Sequence, residues 1–147
     1  MTTTLKVSVG NLKGRMQLTG AAQSAYSVPI DYTPPHGEGK GFTSLELLLL
    51  SLASCSTHSI QYVMGTMKLN LEDIKAEAVA QRRMDHHPTV LTKVEMTYEI
   101  KGAGLQADVV EKAIRMAEEK YCPVWAMLKK EVEITWKFHV TALKDLA

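Results

Sequence analysis

Only two cysteines, Cys55 and Cys122, occur among 147 residues. That is too few for the disulfide framework of a small secreted domain, and the pair lacks the spacing of zinc ligands. Reduced thiols in a reducing compartment are the starting expectation, with the cytoplasm as the location. Charge of one sign is also scarce: 17 basic against 16 acidic side chains leave a formal net charge of +1. The broad positive field that non-specific nucleic-acid binding needs is therefore missing. Long hydrophobic runs are missing too. The most apolar window, Leu45 to Cys55, is interrupted by Glu46, Ser51 and Ser54 and falls short of the roughly 20 residues that span a bilayer. The opening MTTTLKVSVGNLKGR alternates polar and apolar residues, without the continuous apolar centre of a secretory signal. A soluble protein with neither nucleic acid nor membrane as partner is expected. The sequence has no internal repeat or low-complexity tract, and its Pro/Gly loop at 34–41 lacks the GKS or GKT ending of a phosphate loop.

What is present is apolar content, 46% of the chain, enough for the core of a single domain spanning 1–147 without staples. The segments TLKVSV, GRMQLTG and SAYSVPIDY alternate at period two and predict three short strands before Pro34, with turns at Gly10 and Gly20. The stretch YTPPHGEGKG cannot continue a helix or a strand and predicts an irregular exposed loop. From Phe42 the pattern changes. Thr43 or Ser44 can cap a helix, Glu46 falls in its first turn, and no proline interrupts the chain to about Lys68. One long, mostly buried helix is expected. Two alternating segments, Ala76 to Arg83 and Leu91 to Ile100, flank the turn-like DHHP as a long hairpin. Val109, Val110, Ala113, Ile114 and Ala117 recur at helical spacing, CPVWAMLKK gives a second short helix, and VEITWKFHV ends the chain as a strand. The order βββ-α-ββ-α-α-β defines an α+β fold. A helix of about 25 residues is roughly 37 Å long, and this one is too apolar to be surface on any side. Burial by a second subunit is expected.

Chemistry rests on the thiols. A thiol reacts as its thiolate, and an ordinary cysteine near pKa 8.5 is mostly protonated at neutral pH, so reactivity needs a helix N-terminus or a positive neighbour. Cys122 directly precedes Pro123, and proline favours the first position of a helix, which makes Cys122 the cap with its sulfur toward unpaired amides. That is a modest activating environment. Cys55 lies near the middle of the long helix, where any activation must come from side chains reaching across the fold. His58 shares a helical face with Cys55 and can serve as a base or an imidazolium partner. Against this stands the simpler role of both cysteines as small buried hydrophobes. His86 and His87, just before Pro88, are more simply polar turn residues than metal ligands. The dispersed methionines are core filling.

The stretches TSLELLLLSLASC and AEEKYCPVWAMLKKEVEITW, with this order of elements, resemble the OsmC/Ohr family of hydroperoxide-reducing proteins, and more closely its YhfA-like branch. The resemblance covers nearly the whole chain. It implies an OsmC-like fold in an intertwined homodimer, with long central helices packed between sheets that mix strands of both subunits. It also implies two sites at the subunit interface, in which Cys55 attacks a hydroperoxide and Cys122 resolves the product, while an arginine and a glutamate position the first thiolate. No bound cofactor is implied. An external dithiol, lipoyl-type in the family, restores both thiols. Peroxide-reducing members carry the glutamate ten residues before the thiol, where this chain has Leu45. Glu46 stands nine before, as in the YhfA-like branch, which is half a turn away from Cys55 on a straight helix. The arginine belongs to the first hairpin, which offers Lys13 and Arg15. Arg15 is the choice, because a planar guanidinium can hold thiolate and carboxylate together.

The expected function is a thiol-dependent peroxidase for organic hydroperoxides, with hydrogen peroxide as a second substrate, acting in oxidative-stress defence through Cys55, Cys122, Arg15 and Glu46. The alternative is a non-catalytic dimer that binds an apolar ligand in its interface pocket, with vestigial or redox-sensing thiols.

Overall fold

The computed structural model describes residues 1–11, 13–23 and 25–144. Its contacts divide it into two compact units, Met1–Leu48 and Leu49–Ala147. In the first unit, β1 (Val7–Asn11), β2 (Leu18–Ala22) and β3 (Ser27–Ile30) form an antiparallel sheet in that order. These three strands are the expected ones, displaced along the chain. Ser24, with which the third begins in the sequence pattern, lies outside the described residues. Gly10 and Gly20 are not at turns but inside β1 and β2. The first turn falls instead at Lys13 and Gly14, both at positive φ. Gly20 suits a strand interior because Val28 and Ile30 of β3 close over it, within 3.2 Å of where a Cβ would stand.

The following Pro/Gly loop is irregular, but Asp31 orders it. That buried carboxylate accepts hydrogen bonds from the amides of Tyr32, Glu38 and Lys40. The Lys40 amide leads in holding it below the usual carboxylate range, with those of Tyr32 and Glu38 adding to the effect. The chain turns so tightly here that a side chain on Gly37 would run into the Tyr32 carbonyl.

Helix α1 (Ser44–Thr66) runs through the boundary between the two units. Its start is a capping box: the Glu46 amide donates to Thr43 Oγ1 at 3.2 Å, and the Thr43 amide donates to Glu46 Oε1 at 3.0 Å. At 23 residues it is about 35 Å long. By length and composition alone it could cross a bilayer, yet Leu52, Ser56, Ser59, Ile60, Val63 and Met64 form a face packed into the protein. The hydroxyls on this helix are satisfied locally: Ser54, Ser56 and Ser59 donate to the carbonyls of Ser51, Ala53 and Cys55. The helix is not buried all round, because Leu48, Leu50 and Tyr62 remain exposed.

In the second unit, β4 (Asp73–Arg82) pairs antiparallel with β5 (Leu91–Ala103), and β6 (Glu133–Leu143) joins β5 in parallel. β5 is therefore the central strand. A parallel partner needs a crossover connection, supplied here by α2 (Ala107–Met116), a π-helical turn (Ala117–Tyr121) and α3 (Pro123–Leu128). Val94, Met96, Tyr98 and Ile100 of β5 are buried and form the core with the inner faces of α1 and α2. Gly102 lets the chain after α1 approach β5, since a Cβ there would meet the Asn70 carbonyl. Element order and α+β class match the sequence expectation, to which the structure adds the π-helical turn.

Candidate functional site

Cys55 and Cys122 come from neighbouring segments of the fold. Cys55 is half-buried on α1, and Cys122, 2% exposed, ends the π-helical turn and caps α3. The π-helical turn lies against α1 at the Tyr62–Tyr121 ring contact, which puts Cys122 on the side of α1 that carries Cys55, and both cysteines are free thiols. Proline at the first position of α3 and the 3.4 Å hydrogen bond from the Trp125 amide to Cys122 Sγ make the cap expected from KYCPVW.

The cap does not activate this thiol. Burial pushes Cys122 up to about 11 against the pull of the Trp125 amide, while the Cys55 side chain adds a smaller push in the direction of burial and the Val124 amide pulls back least. Cys122 therefore keeps its proton at neutral pH. The consequence for stability has a definite sign. Between the ordinary value of 9.0 and about 11 the folded state holds a proton that the unfolded chain has released. The stabilisation is complete below pH 9 and is lost as pH rises through 11, with a ceiling of about 3 kcal/mol. Wild-type melting temperature should fall more steeply from pH 9 to 11 than that of Cys122→Ser, and parallel curves would refute this assignment.

Cys55 opens onto a shallow cleft of about 540 Å³ lined by Ser51, Ser54, Cys55, His58, Ser59, Tyr62 and Tyr121. The Tyr62 and Tyr121 rings lie 5.2 Å apart at a tilt. Hydroxyls, an imidazole and aromatic faces thus surround the thiol. His58 is on this wall, as the three-residue spacing from Cys55 suggested. Tyr121 has no sequence signal beyond its place before Cys122. Tyr98 from β5 is fully buried.

The other two expected site residues belong to the first unit. Arg15 follows the β1–β2 turn and lines a cleft of about 510 Å³ with Asp31, His36 and Glu38. Its guanidinium lies 4.0 Å from the Glu38 carboxylate. Lys13 occupies the turn itself in a left-handed conformation. Glu46 is exposed, and its carboxylate is taken up by the Thr43 cap, whose amide and hydroxyl hold it below the usual glutamate range. Among the described residues no three His, Cys, Asp or Glu side chains converge as a metal site.

Comparison with known proteins agrees with this architecture. The family described as OsmC-like protein matches residues 37–137. Protein YhfA of Escherichia coli K12 is 26% identical over 103 residues, covering 70% of this chain and 76% of that protein. The OsmC-like protein of Mycoplasma pneumoniae superposes with a TM-score of 0.84 at 16% identity, covering 96% of this chain and 99% of the other. An organic hydroperoxide resistance protein OsmC of Legionella pneumophila does so with a TM-score of 0.71 at 18% identity, covering 94% and 98%. The last two show a common fold.

Proposed function

The chain belongs to the OsmC-like protein family, and from that premise we propose that it is a dithiol-dependent peroxidase acting on organic hydroperoxides in the cytoplasm. The observation that carries the reading is the difference between Cys55, open to a cleft that Tyr121 also lines, and the next residue Cys122, buried and holding its proton. A nucleophile must reach substrate, whereas a resolving thiol need reach only its partner sulfur.

The Cys55 thiolate attacks one peroxide oxygen and the O–O bond breaks, which leaves a sulfenic acid on Cys55 and an alkoxide that takes a proton to become the alcohol. Cys122 then attacks the Cys55 sulfur. The S–S bond forms as S–O breaks, and the thiol proton leaves with the hydroxyl as water. An external dithiol of the lipoyl type reduces the disulfide by two thiol exchanges. The tyrosine faces at 62 and 121 offer stacking surface to the organic group, and the serines and His58 offer hydrogen bonds.

Arg15 is assigned as the cation that favours the thiolate. Its ion pair with Glu38 is long and exposed, worth at most about 1 kcal/mol, so the guanidinium is not locked in place. Glu46 is assigned a weaker part, because serving a thiol requires its carboxylate to leave the Thr43 amide. A homodimer completes the assembly. The exposed Leu48, Leu50 and Tyr62 on α1 support it, as apolar side chains that a second copy would cover.

The test is a single turnover. One equivalent of cumene hydroperoxide should convert the reduced protein to a form two mass units lighter, with both thiols lost and Cys55 linked to Cys122. Two free thiols after complete mixing would end the proposal.

A further inference from the structure

The first step above moves a proton that no residue yet carries. Cys55 begins as a thiol, and the organic group must leave with a proton as an alcohol, yet sulfur and leaving oxygen lie on opposite sides of the oxygen under attack. A carrier has to accept a proton from sulfur and release it to oxygen near neutral pH. The Cys55 cleft narrows the choice. Ser54 and Ser59 commit their hydroxyl protons to the Ser51 and Cys55 carbonyls of α1, so toward the cleft they act as acceptors. A serine alcohol is in any case no stronger an acid than the alcohol it would have to protonate. A phenol, which ordinarily ionises at about pH 10, already holds its proton when the thiol must lose one. Among the described residues the cleft is lined by no carboxylate, lysine or arginine. Imidazole is the side chain that changes charge between about pH 5 and 8, and His58 supplies one.

Helix geometry places the ring for this task. His58 follows Cys55 by three residues on α1, a spacing that sets their Cβ atoms about 5–6 Å apart on one face. Side chains on an α-helix lean toward its N-terminus, so the imidazole reaches back over the turn that carries Cys55, and both line one cleft. Cys55 is half-buried and His58 exposed. The sulfur therefore stands at the floor and the ring at the mouth, toward which a group leaving in line with the attack departs. The titratable groups that share the cleft with His58 are Cys55 and Tyr62 from its own helix and Tyr121 from the π-helical turn. We infer that His58 is the catalytic acid of the first step, taking the proton of the Cys55 thiol and delivering it to the departing oxygen. Sulfur bonds to the terminal peroxide oxygen as the O–O bond breaks, the electron pair of that bond goes to the organic oxygen, and the imidazolium proton meets it there. Cys55 ends as a sulfenic acid, the organic group as an alcohol, and His58 as the neutral imidazole with which it began. Arg15 cannot take this part, because a guanidinium does not give up its proton. The inference rests on the peroxidase reading and adds to it the source of the alcohol's proton.

The leaving group separates this role from packing. Cumene hydroperoxide expels an alkoxide that needs a proton, whereas peracetic acid expels acetate, which is stable without one. Reduced wild type and His58→Gln are mixed with each oxidant at neutral pH and quenched rapidly, and loss of the Cys55 thiol is followed by mass spectrometry. In His58→Gln the ratio of the cumene hydroperoxide rate to the peracetic acid rate should fall roughly a hundredfold, the scale of one general acid. A disturbed cleft or a smaller share of thiolate slows both oxidants alike and leaves that ratio where it was. The wild-type rate with cumene hydroperoxide should also pass through a maximum with pH, its alkaline limb marking loss of the imidazolium proton, and His58→Gln should lack that limb. An unchanged ratio overturns the inference and leaves the peroxidase reading standing. A wild type that reacts with peracetic acid and not with cumene hydroperoxide, or with neither, overturns both.

Discussion

Replacing Cys55 by serine should abolish dithiol-dependent removal of cumene hydroperoxide, lowering turnover by at least about a thousandfold, because an alcohol at neutral pH offers no anion to attack the O–O bond. Cys122→Ser should behave differently. That variant retains the cleft-facing thiol, consumes one equivalent of hydroperoxide, and halts as a Cys55 sulfenic acid that excess oxidant drives to sulfinic acid. The contrast tests which sulfur attacks, a question that the pairing alone does not answer. Burial answers it here: Cys122 is 2% exposed and holds its proton, whereas Cys55 borders solvent. Peroxide consumption measured with a dithiol in excess, beside the mass of Cys55 after one equivalent, reads both variants. Undiminished turnover by Cys55→Ser would sink the assignment, and so would a first turnover lost equally in the two proteins.

The order of elements was legible because period-two and period-3.6 patterns record which side of each element is covered. The alternation of β5 from Leu91 to Ile100 and the spacing of Val110, Ala113 and Ile114 on α2 correspond to buried faces. Positions along the chain were less legible in the first sheet, where strands are short and only partly buried, so the pattern defines no boundary. Gly20 illustrates the difficulty: glycine signals a turn in sequence, whereas here its missing side chain makes room for Val28 and Ile30 on the neighbouring strand. In the site, the cap at Cys122 was readable from Cys-Pro, since it depends on adjacent residues. Its thiol proved to be held protonated, because burial is a property of the whole fold that no local motif reports. Glu46 was partly legible: the sequence offers Thr43 or Ser44 as the cap with Glu46 in the first turn, and the structure joins Thr43 and Glu46 in a capping box.

Trp125→Ala should be the most damaging substitution away from the sulfurs, costing about 3–5 kcal/mol of folding stability. Trp125 heads the largest fully covered side chains at 2% exposure, and it sits in α3, a helix of only six residues. Such a helix has no stability of its own, since nucleation is unfavourable and few bonds follow it. What holds α3 is the indole in the core, together with the Cys122 cap that receives the Trp125 amide. Removing the ring should therefore loosen the segment that presents Cys122 and couple a stability defect to a chemical one. In urea titrations the midpoint should fall substantially with little change in slope. Under native conditions, alkylation of Cys122 by iodoacetamide should accelerate, and disulfide closure after one equivalent of hydroperoxide should slow. Trp125→Phe should keep much of the packing and lie between. A Trp125→Ala protein within about 1 kcal/mol of wild type, with Cys122 equally protected, would show that the resolving thiol is held by the backbone of the π-helical turn rather than by the core beneath it.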